Sequence, residues 1–173
     1  MSESKRRFVC IVLATFLSVC AVRYAAPEKQ GWADHLKYPA PPFSLTSTEN
    51  KKVSLSDFRG KRVLLIFWES YCVVCIKHMK EFSAAYRHMD HDKLEILGIT
   101  AENRSIDAIR KTVQKLGVTF PVLKAGRDIL KAYTIYYLPT IFLIDDNGNI
   151  VHVYSSDTAV ENIIKEFKDM RKK

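Results

Sequence analysis

Phe43-Ser44-Leu45-Thr46 and Lys52-Val53-Ser54-Leu55 alternate apolar with polar residues on either side of Thr48-Glu49-Asn50, the period of a β-hairpin with one face on a core. Val63-Leu64-Leu65-Ile66-Phe67-Trp68 is apolar without a break, as in a strand covered on both faces. From Cys72 to about Met89 the period turns helical, and Leu94 to Thr100 returns to a strand. Ile106, Ile109, Val113 and Leu116 then lie on one helical stripe, with Gly117 placed as its C-terminal cap. A short strand at Phe120–Leu123 and a brief helix near Asp128–Tyr133 follow. Thr140–Ile144 and Ile150–Tyr154 predict two strands joined through Asn147-Gly148, a strong hairpin signal. Thr158 and Glu161 form a capping box for a last helix with Val160, Ile163, Ile164 and Phe167 inward. Strands alternating with helices demand a parallel or mixed sheet covered on both faces, and the hairpins add antiparallel strands at each end. The expected fold is a three-layer α/β/α sandwich.

The N-terminal residues follow another pattern. Lys5-Arg6-Arg7 precede an apolar or small run from Phe8 to Val22 that ends at Arg23, which divides the chain into a signal peptide or membrane anchor (1–23), a linker (24–37) and a folded domain (38–173). A helix over that run spans about 22 Å against a hydrocarbon core of roughly 30 Å, so spanning requires Arg7 and Arg23 to snorkel. An uncleaved anchor is the first expectation. Cleavage near Val19-Cys20-Ala21 is the second, and a lipoprotein the third, since Leu17-Ser18-Val19-Cys20 has Val19 where a lipobox carries a small residue. All three place the domain outside the cytoplasm, periplasmic or on the cell surface, because positive charge before an apolar segment holds the N-terminus inside.

Composition changes this picture little. The 173 residues are 47% hydrophobic and 27% charged, ordinary for a globular domain, and the net charge is +8. The basic residues are dispersed and no nucleic-acid-binding motif accompanies them, which argues against that class. Of four cysteines, Cys10 and Cys20 lie in the apolar run, leaving Cys72 and Cys75 for the domain. In an exported protein such a pair is expected as a local disulfide open to redox cycling.

Cys72-Val73-Val74-Cys75 falls where the apolar strand meets a helix. There the free N–H groups and the macrodipole favour a thiolate, the attacking species. Cys75, one turn on, is placed to resolve a mixed disulfide formed at Cys72. Two other readings stay open from spacing alone: half of a zinc site and an inert disulfide. A four-ligand zinc site usually needs a second ligand pair, and of His78, His88 and His91 only His78 shares a face with Cys75.

Phe67-Trp68-Glu69-Ser70-Tyr71-Cys72-Val73-Val74-Cys75 resembles the F-W-x-x-W-C-x-x-C motif of thioredoxins, with Tyr71 where Trp is usual. Tyr137-Leu138-Pro139-Thr140 and the following Ile141-Phe142-Leu143-Ile144-Asp145 resemble the second hallmark, the cis-proline loop and its strand. An added helix and strand at 104–123, the hairpin with Leu55-Ser56-Asp57-Phe58-Arg59-Gly60-Lys61, and the export segment are similar to the TlpA/ResA/CcmG-like branch of the thioredoxin superfamily, of redoxin or AhpC/TSA type. The resemblance covers residues 38–171.

It implies a thioredoxin-like thiol–disulfide oxidoreductase that needs no cofactor. Cys72 attacks, Cys75 resolves, Pro139 is cis, and Leu138 with Pro139 holds a client peptide; Trp68 and Tyr71 are further candidate contacts. Glu69, Ser70 and Tyr71 line the approach to Cys72. The implied partners are client proteins with cysteine pairs, such as apocytochromes in cytochrome c biogenesis, and a membrane electron donor. The chain departs from the pattern at Ile66, where many thioredoxins carry a buried Asp, and at His78, where relatives often carry Glu. His78 is therefore the candidate proton acceptor for Cys75. Two other functions compete. A peroxiredoxin-like peroxidase needs Thr or Ser where this chain has Glu69, and a Sco-like copper-binding chaperone places three residues between its cysteines rather than two.

Overall fold

The computed structural model describes residues 37–169. The expected signal or anchor and all but the last residue of the expected linker lie outside the described residues. In chain order the elements are β1 (Tyr38–Pro39), β2 (Ser44–Ser47), β3 (Lys52–Ser54), a 3₁₀ turn (Leu55–Phe58), β4 (Arg62–Phe67), α1 (Val73–Tyr86), β5 (Leu94–Thr100), α2 (Ile106–Leu116), β6 (Val122–Lys124), α3 (Arg127–Ala132), β7 (Thr140–Ile144), β8 (Asn149–Tyr154) and α4 (Val160–Asp169).

Eight strands form one mixed sheet in the order β1-β8-β7-β4-β5-β6-β2-β3. β4 runs parallel to β5 and β5 to β6, whereas β7 pairs antiparallel with β4 and with β8. β4 is central, which accounts for its unbroken apolar run: successive side chains point to opposite faces and both faces are covered. Leu64 and Ile66 join a cluster with Met79 and Phe82 of α1, Ile109 and Val113 of α2, and Ile163 and Phe167 of α4. Val63, Leu65 and Phe67 join a second cluster with Ile129, Tyr133, Phe142 and the incoming Ala40 and Phe43. The cover is uneven. Three helices lie on the first face, while α3 and the N-terminal approach carry the second.

Local signals set the element ends. Gly117 closes α2 at φ 69°, a left-handed conformation that costs glycine nothing. Ser105 opens α2 by accepting the Ala108 N–H at 3.2 Å. α4 starts at Val160, one residue later than a cap at Thr158 requires. Among the described residues no helix is long and apolar enough to cross a membrane.

Candidate active site around Cys72 and Cys75

β4 ends at Phe67, and the Trp68 N–H still bonds the Ile99 carbonyl at 3.0 Å. The chain then turns, with the Cys72 N–H donating to the Glu69 carbonyl at 3.1 Å. Cys72 is the N-cap of α1: its backbone is extended, and its sulfur accepts the Cys75 N–H at 3.2 Å. An anion at this sulfur therefore has a backbone donor and the positive end of a 14-residue helix beside it. Cys72 and Cys75 are joined by a disulfide with Cα atoms 5.2 Å apart. Cys72 is half-buried and Cys75 has no solvent exposure, so an attacking thiol or a reductant reaches Cys72 first.

The Leu138–Pro139 peptide bond is cis. It brings the Leu138 carbonyl to 3.9 Å from the Cys72 sulfur, although 66 residues separate the two. Pro139 is buried and Leu138 half-buried. Around this pair the surface is apolar: Tyr71, Val73, Val74, Tyr136 and Tyr137 are all exposed, Tyr71 at 78% and Tyr136 at 86%. Single exposed apolar residues are unremarkable, but these stand in the two segments that flank Cys72 and Leu138.

Trp68 does not belong to that surface. It is 1% exposed and packs in the cluster beneath α1, so as a client contact it is corrected to a core residue. The strand direction explains this, since Trp68 continues the same face as Leu64 and Ile66. His78 shares the first-face interior with Cys75 and is 5% exposed, edge-on to Phe82 with ring centroids 6.4 Å apart. Its Nδ1 is buried without a hydrogen-bond partner, and burial holds its pKa below the ordinary 6.5 against the pull of Glu81. At neutral pH the ring is uncharged, and an uncharged imidazole can take up a proton.

Sequence reasoning missed a second layer behind the loop. Glu69 turns inward rather than toward solvent; its carboxyl accepts Thr100 Oγ1–H and the Ala101 N–H, both at 3.1 Å. Glu102 accepts the Ser70 N–H, the Ser70 hydroxyl at 2.9 Å and Arg104 Nη1 at 3.0 Å. Both carboxyls are buried. Burial and the charge of Glu102 push the Glu69 pKa up. Burial also opposes ionisation of Glu102, but Ser70 and Arg104 outweigh it and hold its pKa low. Glu69, Ser70, Glu102 and Arg104 line an open cavity of about 660 Å³ that reaches Tyr71, next to Cys72 in sequence, and includes Lys124 and Arg127. The signal was present but long-range: the parallel register sets Phe67 opposite Ile99, so the residues following each strand meet.

The sequence profile of the AhpC/TSA family matches residues 36–153. A thiol-disulfide oxidoreductase ResA of Bacillus subtilis (strain 168) is 35% identical over 134 residues, covering 77% of this chain and 74% of the relative. ResA of Bacillus thuringiensis subsp. konkukian is 34% identical over 130 residues, 75% of each chain. Among solved structures, the thioredoxin domain of a thiol-disulfide oxidoreductase from Bacteroides vulgatus superposes with a TM-score of 0.67 at 25% identity, covering 75% of this chain and 95% of that one.

Proposed function

Because the chain belongs to the AhpC/TSA family and is a thiol–disulfide oxidoreductase, we propose that it reduces disulfides of exported client proteins outside the cytoplasm. The observation that carries this reading is Cys72 at the N-cap of α1, half-exposed, with the Leu138 carbonyl facing its sulfur. The reduced enzyme attacks one sulfur of a client disulfide with the Cys72 thiolate, and the client's other sulfur leaves as a thiol. Cys75 loses its proton, attacks Cys72 of the mixed disulfide and releases the second client thiol. Two electrons and two protons pass to the client, and the product is the disulfide seen here.

His78 is the proposed acceptor of the Cys75 proton, an uncharged base on the same helix. Leu138 and Pro139 hold the client strand, and Tyr71 with Val73 and Val74 covers its side chains. The apolar rim suits an unfolded client better than a small oxidant. Re-reduction falls to a membrane electron donor, and the N-terminal 1–23 segment keeps the domain beside it, retained as an anchor. Apocytochrome c cysteines are one such client class, and cytochrome c biogenesis is the process proposed for the chain.

A Cys75→Ser variant is expected to accumulate a mixed disulfide through Cys72 with an unfolded, disulfide-bearing peptide, while Cys72→Ser traps none. Equilibration with glutathione should give a reduction potential near that of the thioredoxins. A strongly oxidising potential, or trapping through Cys75, overturns the reading. A peroxide-consumption assay separates it from the peroxidase.

A further inference from the structure

Glu69 and Glu102 face one another across the turn that delivers Cys72. One belongs to the turn itself; the other follows β5 at a sequence distance of more than thirty residues. Each is buried, and each grips the other's segment: Glu69 holds Thr100 and Ala101, while Glu102 holds the backbone and hydroxyl of Ser70. Thr100 links them, its Oγ1 donating to Glu69 at 3.1 Å and accepting the Glu102 N–H at 3.4 Å, and two carboxyls crowded into one buried site favour keeping one proton between them. Arg104 and the Ser70 donors are on Glu102, so the negative charge resides there and the proton on Glu69.

We propose that Glu69 and Glu102 form a proton-sharing pair through which pH sets the reactivity of Cys72. Protonated, the pair carries one negative charge and latches the turn Glu69–Cys72 to the end of β5. When Glu69 loses its proton to solvent through the cavity, a second negative charge appears on the turn. That charge opposes the Cys72 thiolate and makes Cys72 a weaker nucleophile. The charged groups that share the cavity with Glu69 are Glu102 and Arg104 after β5, Lys124 of β6 and Arg127 of α3, while Cys72 lies three residues along its own turn, its N–H on the Glu69 carbonyl. Arg104 is itself fixed to Ser70 Oγ, the Ala108 carbonyl and Thr112 Oγ1, each at 3.1 Å. Glu69 is thus a positioning residue, acting through Cys72 without touching the client.

This inference rests on Cys72 being the attacking thiol. The test measures iodoacetamide alkylation of the reduced full chain from pH 5 to 9, with the labelled cysteine mapped by mass spectrometry. The wild type is expected to titrate over a range broader than one ionisation. Glu69→Gln, which cannot ionise, should give a single sharp titration with its midpoint moved down. Near neutral pH it should alkylate about three- to tenfold faster, tenfold corresponding to one pKa unit. Glu102→Gln removes the charge that retains the proton, so the lower step should move to more acidic pH. Superimposable wild-type and Glu69→Gln profiles overturn the proposal. Should Glu69→Gln fail to fold, an unmoved lower step in Glu102→Gln overturns it equally. First labelling at Cys75 instead sinks the proposed function, a separate outcome.

Discussion

A buried histidine one turn beyond a redox cysteine has consequences for folding as well as for chemistry. Burial lowers the pKa of His78 below 6.5, so over the interval between its folded and unfolded values the unfolded chain binds more protons at this residue. Stability from His78 is therefore present at and above the unfolded value and is lost as pH falls through that interval. Urea midpoints measured from pH 7.5 down to pH 5 should fall for the wild type and fall less steeply for His78→Leu. An identical slope in both would remove His78 from the acid sensitivity. The same variant separates folding from catalysis: if His78 accepts the Cys75 proton, single-turnover resolution slows in His78→Leu even at pH 7.5, where the fold is at full stability.

At the scale of elements, the β7–β8 hairpin orients the Leu138–Pro139 loop, because β7 begins immediately after it. Asp145 organises that hairpin. Its Oδ1 accepts the Asn147 N–H at 3.1 Å and the Asn149 N–H at 2.8 Å, and Lys37 Nζ lies 3.1 Å from Oδ2. Burial opposes ionisation, but these donors outweigh it and hold the carboxyl below its ordinary range. Its contribution is thus present above the unfolded carboxylate value and lost as pH falls through the folded one. Asp145→Ala leaves two turn N–H groups without their acceptor and should cost about 1–2 kcal/mol, read as a lowered denaturant midpoint with an unchanged slope. Element order was legible in the sequence because period 2, period 3.6 and Asn147-Gly148 are local signals. Trp68 was misplaced because an apolar run does not say where its last member turns. The inward course of Glu69 was illegible for a different reason: its partners Thr100 and Ala101 are reached only through the β4–β5 register.

On the scale of the whole molecule, the two ends of the sheet differ. The end bearing Cys72 exposes Tyr71, Val73, Val74, Tyr136 and Tyr137 on segments far apart in sequence. Folding assembles that surface, so only Tyr71, adjacent to the motif, was visible beforehand as a contact. Replacing Tyr71 and Val73 together by Ser should leave stability within about 0.5 kcal/mol, since both are already in water. It should slow reaction with an unfolded protein disulfide by about tenfold, the order expected from losing an interfacial aromatic. Reaction with oxidised glutathione, too small to span the patch, should not change. Equal slowing of both substrates would mean that the patch serves the chemistry and not recognition.

The tie between Ser70 and Glu102 has a wider reach. Glu102 and Arg104 stand at the threshold of the 104–123 segment that lengthens this chain relative to plain thioredoxin, and Arg104 is braced on the first turns of α2. The added helix, packed on the same face of the sheet as α1, is therefore wired to the loop that presents the nucleophile. Divergence, or an engineer, can retune one unchanged cysteine pair by changing the entry to that helix, leaving the motif itself untouched.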